Sequence, residues 1–301
     1  MAWELSVGRL YPFERPQLQR PVRCDTMDFG QCLSYAGRRA RQSTGDFYPG
    51  PRLMPHAVLR MFDPVLAWSF GPASRGEASA VASLEATLRG KPDGPLMLAL
   101  SAAISSGEIR HNDLRTIAKL FPTPLPDRPQ NRGELLSFLL PRSSALSLCL
   151  LHIAGCKTEE ALSAAERLGA GLALTGLLAQ LPFHSKHGKI PLPMEDLRLS
   201  GLTEEEYFDA VRTPAMNRLL ATETRWALRL LDDGLTLNRH LGARLRRGVR
   251  AAVVRARHIL HQVDDPHFDV FRRTPQLTKR ARWVSAARAL SGVKPGPESR
   301  P

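Results

Sequence analysis

Apolar residues recur along this chain at the three- and four-residue spacing that is typical of amphipathic helices. Val81, Leu84 and Leu88, for example, fall on one face of a helix predicted over residues 75–89. Further helices are predicted over residues 31–45, 55–70, 96–106, 112–120, 134–155, 160–180, 215–233, 238–262 and 277–290. Abundant Leu and Ala favour the same secondary structure. The pattern therefore predicts an all-α fold.

Capping residues and helix breakers predict where several of these helices begin and end. Asn112 is predicted to cap the helix that follows it. Thr203 and Glu206 have the spacing of a capping box at a helix start. Pro141 is predicted to interrupt the helix that begins at Glu134, because proline lacks an N–H and clashes with the preceding turn. Residues 1–27 are predicted to be a flexible extension, residues 28–290 a single domain, and residues 291–301 a disordered tail.

One stretch, residues 169–193, combines an apolar helix with a cluster of polar side chains. The helix is predicted to run to Gln180 and to break at Pro182. A polar loop is predicted to follow, carrying His184, Lys186 and Lys189. An apolar helix that delivers polar groups at its end can line a pocket. The alternative is that these are ordinary polar residues at a helix end and two solvated lysines.

The chain is strongly basic, with a formal net charge of +13. Charge of this size favours an anionic partner: nucleic acid, an anionic lipid surface or a diphosphate-bearing ligand. Arg244, Arg247 and Arg250 lie on the predicted helix 238–262 and are candidates for docking on an anionic membrane. No aromatic residues interleave with them for base stacking, which disfavours nucleic acid. A solvated helix face is the other interpretation.

The cysteines predict neither a metal site nor disulfides. No CxxC spacing and no zinc-type His/Cys cluster occurs, so we expect no bound metal. Cys149 and Cys156 lie in an apolar helical run and are predicted to be buried thiols, which fits a reducing compartment. The composition predicts no apolar run of the ~18 residues that a spanning helix needs, so any membrane association is expected to be peripheral.

Residues 174–193 resemble the second signature of the squalene/phytoene synthase family, which reads roughly "LTNILRDxxED" followed by "RGRxYLP". Leu174 to Leu178 stand for the helix, and the segment 188–193 (GKIPLP) for the loop. Residues 192–197 resemble "LPxEDL" and residues 201–206 resemble "GL(S/T)xEE". The resemblance implies a single isoprenoid-synthase-like helical bundle around a central cavity. Pocket-lining candidates are Phe62, Leu66, Thr175 and Phe183.

The resemblance fails at the positions where the family binds Mg²⁺ and a prenyl diphosphate. The two aspartates of the second signature fall on Gln180 and His184. The acidic positions of the first signature, "LYAFxRxxDDxxD", fall on Ala67, Trp68 and Gly71. Mg²⁺ prefers hard anionic oxygen ligands, which none of these residues provides. Lys186 and Lys189 match basic positions that face diphosphate in active relatives.

Pro182-Phe183-His184 is similar to the "PYH" or "PFH" of a non-catalytic branch of the family, which includes the mitochondrial assembly factor of respiratory complex I. The preferred hypothesis is therefore a non-catalytic assembly or scaffolding factor, or a lipid-binding protein, at a membrane surface. It would need no cofactor and would bind a protein partner or an isoprenoid-like lipid. The expected location is the bacterial cytoplasm, peripheral to the inner membrane, or the mitochondrial matrix in a eukaryote.

The alternative hypothesis is an active prenyltransferase that condenses two prenyl diphosphates and uses Mg²⁺ in an unusual arrangement. An accessory subunit of an active synthase is a third hypothesis.

Overall fold

The computed structural model describes residues 28–44, 54–75, 78–107 and 109–278, together with residues 284 and 287. Within these residues the chain forms α-helices joined by turns and longer connectors, as the sequence predicts. The helices are α1 Phe29–Thr44, α2 His56–Ser69, α3 Ala78–Leu88, α4 Gly94–Ser105, α5 His111–Leu120, α6 Arg132–Ile153, α7 Glu159–Ala179, α8 Leu181–Lys186, α9 Met194–Leu199, α10 Glu204–Phe208, α11 Pro214–Gly234 and α12 Ala243–Asp264. The predicted extension (1–27) and tail (291–301) lie outside the described residues, and so does most of the predicted helix 277–290.

Two predicted helix limits are wrong. Asn112 does not cap α5; it lies in the first turn, and Arg110 precedes the helix without a side-chain cap. Pro141 does not interrupt α6, which runs unbroken from Arg132 to Ile153. A buried arginine one residue later helps to hold that region in place. Arg142 donates hydrogen bonds to the carbonyls of Leu120 and Thr123 at 2.6 and 2.7 Å.

Side-chain caps begin five of the described helices, among them α1, where the N–H of Gln31 donates to the carboxylate of Asp28 at 2.8 Å. Asn131 accepts a hydrogen bond from the N–H of Glu134 at the start of α6. Thr158 and Thr213 do the same for α7 and α11. The predicted capping box at α10 is present in full, because Thr203 and Glu206 each accept a hydrogen bond from the other's backbone N–H. Each such cap typically contributes about 1 kcal/mol.

The core is built around α7, which packs against α6, α11 and α12. Glycines allow the closest approaches. A Cβ placed on Gly234 of α11 would lie 2.6 Å from the backbone of Leu168, and one on Gly169 would lie 2.8 Å from Cβ of Ser143. Any larger residue would therefore push these helices apart. A second group of helices packs around α2, which contacts α1, α4 and α6. Thus α6 lies against both α2 and α7.

One helix in the described part of the chain, α6, is long and apolar enough by composition to cross a membrane. The expectation that no run reaches this length is therefore wrong. In the structure α6 packs against α2, α5 and α7, and the charged Arg142 is buried near its centre. This packing is that of a core helix, in which an apolar composition is also expected.

Candidate functional site

The junction of α7 and α8 brings the predicted polar residues together. Pro182 lies in the first turn of α8, where a missing N–H leaves no helical hydrogen bond unmade. The N–H of His184 donates to the carbonyl of Gln180 at 3.2 Å, so the two side chains lie one turn apart on the same face. The predicted loop is therefore wrong in its first part: residues 184–186 are helical, and only the segment after them is a loop.

The His184 side chain is buried rather than exposed in a loop. The residue is 3% exposed, and its Nε2 atom has no hydrogen-bond partner among the described residues. Burial, and then the positive charges of Lys189 and His187, lowers the pKa of His184 to about 4. Phe183 covers it edge-on, with ring centroids 5.6 Å apart. At neutral pH this position therefore holds an uncharged imidazole.

The other three ligand candidates at the junction, Gln180, Lys186 and Lys189, differ in accessibility. Oε1 of Gln180 is buried and makes no hydrogen bond within the described chain. Lys186 is exposed at the end of α8, whereas Lys189 is half-buried in the loop. The backbone N–H of Lys189 donates to the carbonyl of His184 at 3.0 Å. Of the four predicted ligand candidates, His184 is the one whose whole residue is buried, Lys189 is half-buried and Lys186 is exposed.

The loop after α8 is held by the proline-rich connector between α5 and α6. The carboxylate of Asp127 accepts a hydrogen bond from the N–H of Ile190 at 2.9 Å, and the N–H of Arg128 donates to the carbonyl of Ile190 at 2.8 Å. Arg128 adopts a positive φ of 53°, and its side chain is fixed by Glu204 at 2.8 Å. This strained residue and its partners give Lys189 a defined backbone position.

The predicted pocket-lining residues lie on three elements, with Phe183 half-buried on α8. Thr175 is fully buried on α7, and its hydroxyl donates to the carbonyl of Gly171 at 2.7 Å. Phe62 is buried and Leu66 half-buried on α2. The acid nearest the first signature, Asp63, is buried on the side of α2 that faces α1: a Cβ on Gly37 would lie 3.1 Å from its Oδ2.

A buried acid-rich cluster was missed at the sequence level. Glu223 on α11 is 0% exposed, and no donor in the described chain reaches either of its carboxyl oxygens. Burial, and then the neighbouring Asp196 carboxylate, raises the pKa of Glu223 well above its ordinary value. Asp196 pairs with Arg132 at 2.8 Å, and that guanidinium lies 5.1 Å from the Trp226 ring centroid. A protonated Glu223 can donate to Asp196 and so join α6, α9 and α11.

A second missed constellation has the residue types of a nucleophilic site. Nδ1 of His152 lies 2.8 Å from Oδ2 of Asp113, and Cys149 is one turn earlier on the same helix. Burial, and then the charge of Asp113, raises the pKa of the Cys149 thiol. A nucleophilic cysteine needs the opposite shift and an accessible sulfur. Cys149 is therefore the buried thiol that was predicted, whereas Cys156 is only half-buried.

The residues at the implied metal positions do not fit Mg²⁺ with a diphosphate. Gln180 and His184 supply an amide and an uncharged imidazole. On α2 the corresponding positions are Ala67 and Trp68, with Gly71 just beyond the end of the helix, and Trp68 is fully buried. Within the described residues, no three or more His, Cys, Asp or Glu side chains come together as a metal site would require. Anionic oxygen ligands are missing where the resemblance places them.

Comparison with curated proteins finds phytoene synthases at low identity. The chain is 26% identical to phytoene synthase of Thermus thermophilus over 281 residues, which cover 88% of this chain and 95% of that protein. It is 28% identical to the chloroplastic phytoene synthase of Daucus carota over 134 residues, covering 44% of this chain. The match spans about a third of the carrot protein's length, 34%.

Solved structures show the same fold at still lower identity. A dehydrosqualene synthase in complex with ligand matches with a TM-score of 0.73 at 16% identity, covering 88% of this chain and 97% of that one. Squalene synthase HpnC from Alicyclobacillus acidocaldarius matches with a TM-score of 0.67 at 18% identity, covering 77% and 93%. The predicted all-α isoprenoid-synthase fold is confirmed. The family model described as squalene/phytoene synthase matches residues 72–281, and the chain therefore belongs to the squalene/phytoene synthase family.

Proposed function

We propose that this family member is a non-catalytic binding protein that does not carry out Mg²⁺-dependent prenyl transfer. The observation that carries the proposal is the uncharged, buried imidazole of His184 at a position where the family resemblance places a metal-binding aspartate. A histidine can bind metals, but a buried one surrounded by positive charge is a poor partner for a hard dication.

The chemistry explains why this exchange matters. Prenyl coupling begins when an allylic diphosphate ionises, and bound Mg²⁺ stabilises the negative charge of the leaving group by several kcal/mol. Lys186 and Lys189 still offer positive charge near the junction, but they are two ammonium groups without a metal-binding carboxylate. Ionisation at this site should therefore be very slow.

The same geometry suits a ligand that needs hydrogen bonds rather than charge neutralisation. Oε1 of Gln180 and Nε2 of His184 are both buried without a partner in the described chain. Once the side chains that cover these atoms move aside, an isoprenoid-like lipid with an uncharged polar head group, or a segment of a partner protein, can supply the missing hydrogen bonds. A scaffolding role of the kind performed by the complex I assembly factor is consistent with such a site, and Pro182-Phe183-His184 supports it.

An active transferase of the squalene/phytoene synthase type is the second candidate. The observation that favours it is the similarity to the Thermus phytoene synthase over 88% of this chain. In that case metal binding would have to use acids other than those at the signature positions.

Incubation of the purified full chain with farnesyl or geranylgeranyl diphosphate, with and without Mg²⁺, tests the proposal. The Thermus phytoene synthase serves as the positive control, and release of inorganic diphosphate is measured together with extractable hydrocarbon products. We expect no Mg²⁺-dependent release above the protein-free rate. Release that requires Mg²⁺, stops with a chelator and yields a coupled product would overturn the proposal.

A further inference from the structure

Helix α12 carries three arginines whose side chains bind no other residue of the described chain. Arg244, Arg247 and Arg250, here called the arginine stripe, are three residues apart and so follow one side of the helix. Arg244 and Arg247 are exposed and Arg250 is half-buried. None of the three forms a hydrogen bond or ion pair with the described residues.

Other arginines of α12 are used within the protein. Arg246 donates to the carbonyl of Leu241 at 3.0 Å, and Arg257 pairs with Asp232 on α11. The opposite side of α12 is buried, and the helix packs against α7 and α11. The arginine stripe is therefore displayed from a helix whose orientation is fixed by the core, with a length of about 9 Å from Arg244 to Arg250.

The local electrostatics make the stripe strongly positive. The sequence has no acidic residue between Gly234 and Val263. Gly242 provides no side-chain cap for α12, and its first turn contains no acid, so the positive end of the helix dipole adds to the arginine charges. Arginines near a helix N-terminus are unfavourable unless an anion compensates them. No carboxylate in the described chain forms an ion pair with any of the three arginines.

We propose that the arginine stripe docks this protein on an anionic lipid surface. The large hydrophobic residues that are exposed in the described chain are Val81, Leu199, Val211 and Val284; none is aromatic and none lies on α12. The stripe thus lacks the stacking rings that single-stranded nucleic acid binding uses, and it lacks apolar residues that could insert between lipids. The expected association is peripheral, electrostatic and sensitive to salt.

Co-sedimentation of the full chain with phosphatidylcholine vesicles, with or without phosphatidylglycerol, tests this proposal. Basic residues near an anionic membrane each contribute about fivefold in partitioning, so the triple variant R244Q/R247Q/R250Q should bind roughly 100-fold more weakly. The matched control is R38Q/R60Q/R273Q, which also removes three positive charges but from exposed positions on separate elements. Circular dichroism at increasing temperature verifies that both variants are folded.

The proposal predicts binding only to vesicles that contain phosphatidylglycerol, loss of that binding at about 1 M salt, and near wild-type binding of the control variant. Equal losses in the two variants would show that net charge alone is responsible and would overturn it. Binding to vesicles of pure phosphatidylcholine would also overturn it. So would competition in which duplex DNA displaces the protein from the vesicles at a lower concentration than added phosphatidylglycerol vesicles do. The outcome does not depend on whether the α7–α8 junction is catalytic.

Discussion

Replacing His184 with glutamine should change how the stability of the protein depends on pH. The imidazole is 3% exposed, and its pKa is lowered from an ordinary 6.5 to about 4 in the folded protein. Between these two pH values the unfolded chain therefore binds a proton at His184 that the folded chain does not bind. The free energy of unfolding is highest above pH 6.5, where His184 is neutral in both states, and it decreases as the pH falls toward 4. A difference of that size corresponds to about 3 kcal/mol in the free energy of unfolding.

Urea unfolding of the wild type and H184Q at a series of pH values from 7 to 4 measures this effect. Glutamine cannot be protonated in this range, so the wild type should lose about 3 kcal/mol relative to H184Q on acidification. The variant H56Q removes an exposed histidine at the start of α2 and should follow the wild type. Parallel pH profiles for wild type and H184Q would refute the uncharged, buried imidazole.

Two further predictions concern buried charged groups away from the junction. Because folding raises the pKa of Glu223, the wild type should lose stability as the pH rises above 4.5, and E223Q should not show this loss. In urea unfolding, the free energy of unfolding of E223Q should therefore increase relative to that of the wild type by about 1.4 kcal/mol per pH unit. A difference between the two proteins that stays constant from pH 5 to pH 8 would contradict this. R142M should lose about 3 kcal/mol, because it removes the donor from buried carbonyls. R115M breaks an exposed ion pair, 49% and 32% exposed, and should lose much less. Equal losses in the two arginine variants would contradict the structural role of Arg142.

The fold was predictable from the sequence because helical periodicity and capping residues agree along most of the chain. Thr203 and Glu206 are an example: a local pattern fixes local hydrogen bonds, and the capping box forms as predicted. Pro141 is the opposite example. Its lost hydrogen bond is a local cost, but the packing of α6 on three neighbouring helices keeps the helix continuous. Tertiary contacts of this kind cannot be predicted from the local sequence pattern.

The site was only partly predictable for the same reason. The residues at the junction were identified, but the burial of His184 was not, because polar residues around a glycine and prolines are typical of a loop. The cluster of Glu223, Asp196 and Arg132 comes from three helices that are far apart in the sequence. Glu223 alone shows no signal, since a single acid on an amphipathic helix is normally assigned to the exposed face.

The proposed function requires that the signature positions do not hold the metal ions of a prenyl diphosphate site. Electron paramagnetic resonance of Mn²⁺, titrated into the full chain with an unreactive farnesyl thiodiphosphate, tests this most directly, with the Thermus phytoene synthase measured in parallel. We expect the spectrum of free Mn²⁺ and its analogue complex to be unchanged by this protein. Two or more Mn²⁺ ions bound per chain in the presence of the analogue would contradict the account.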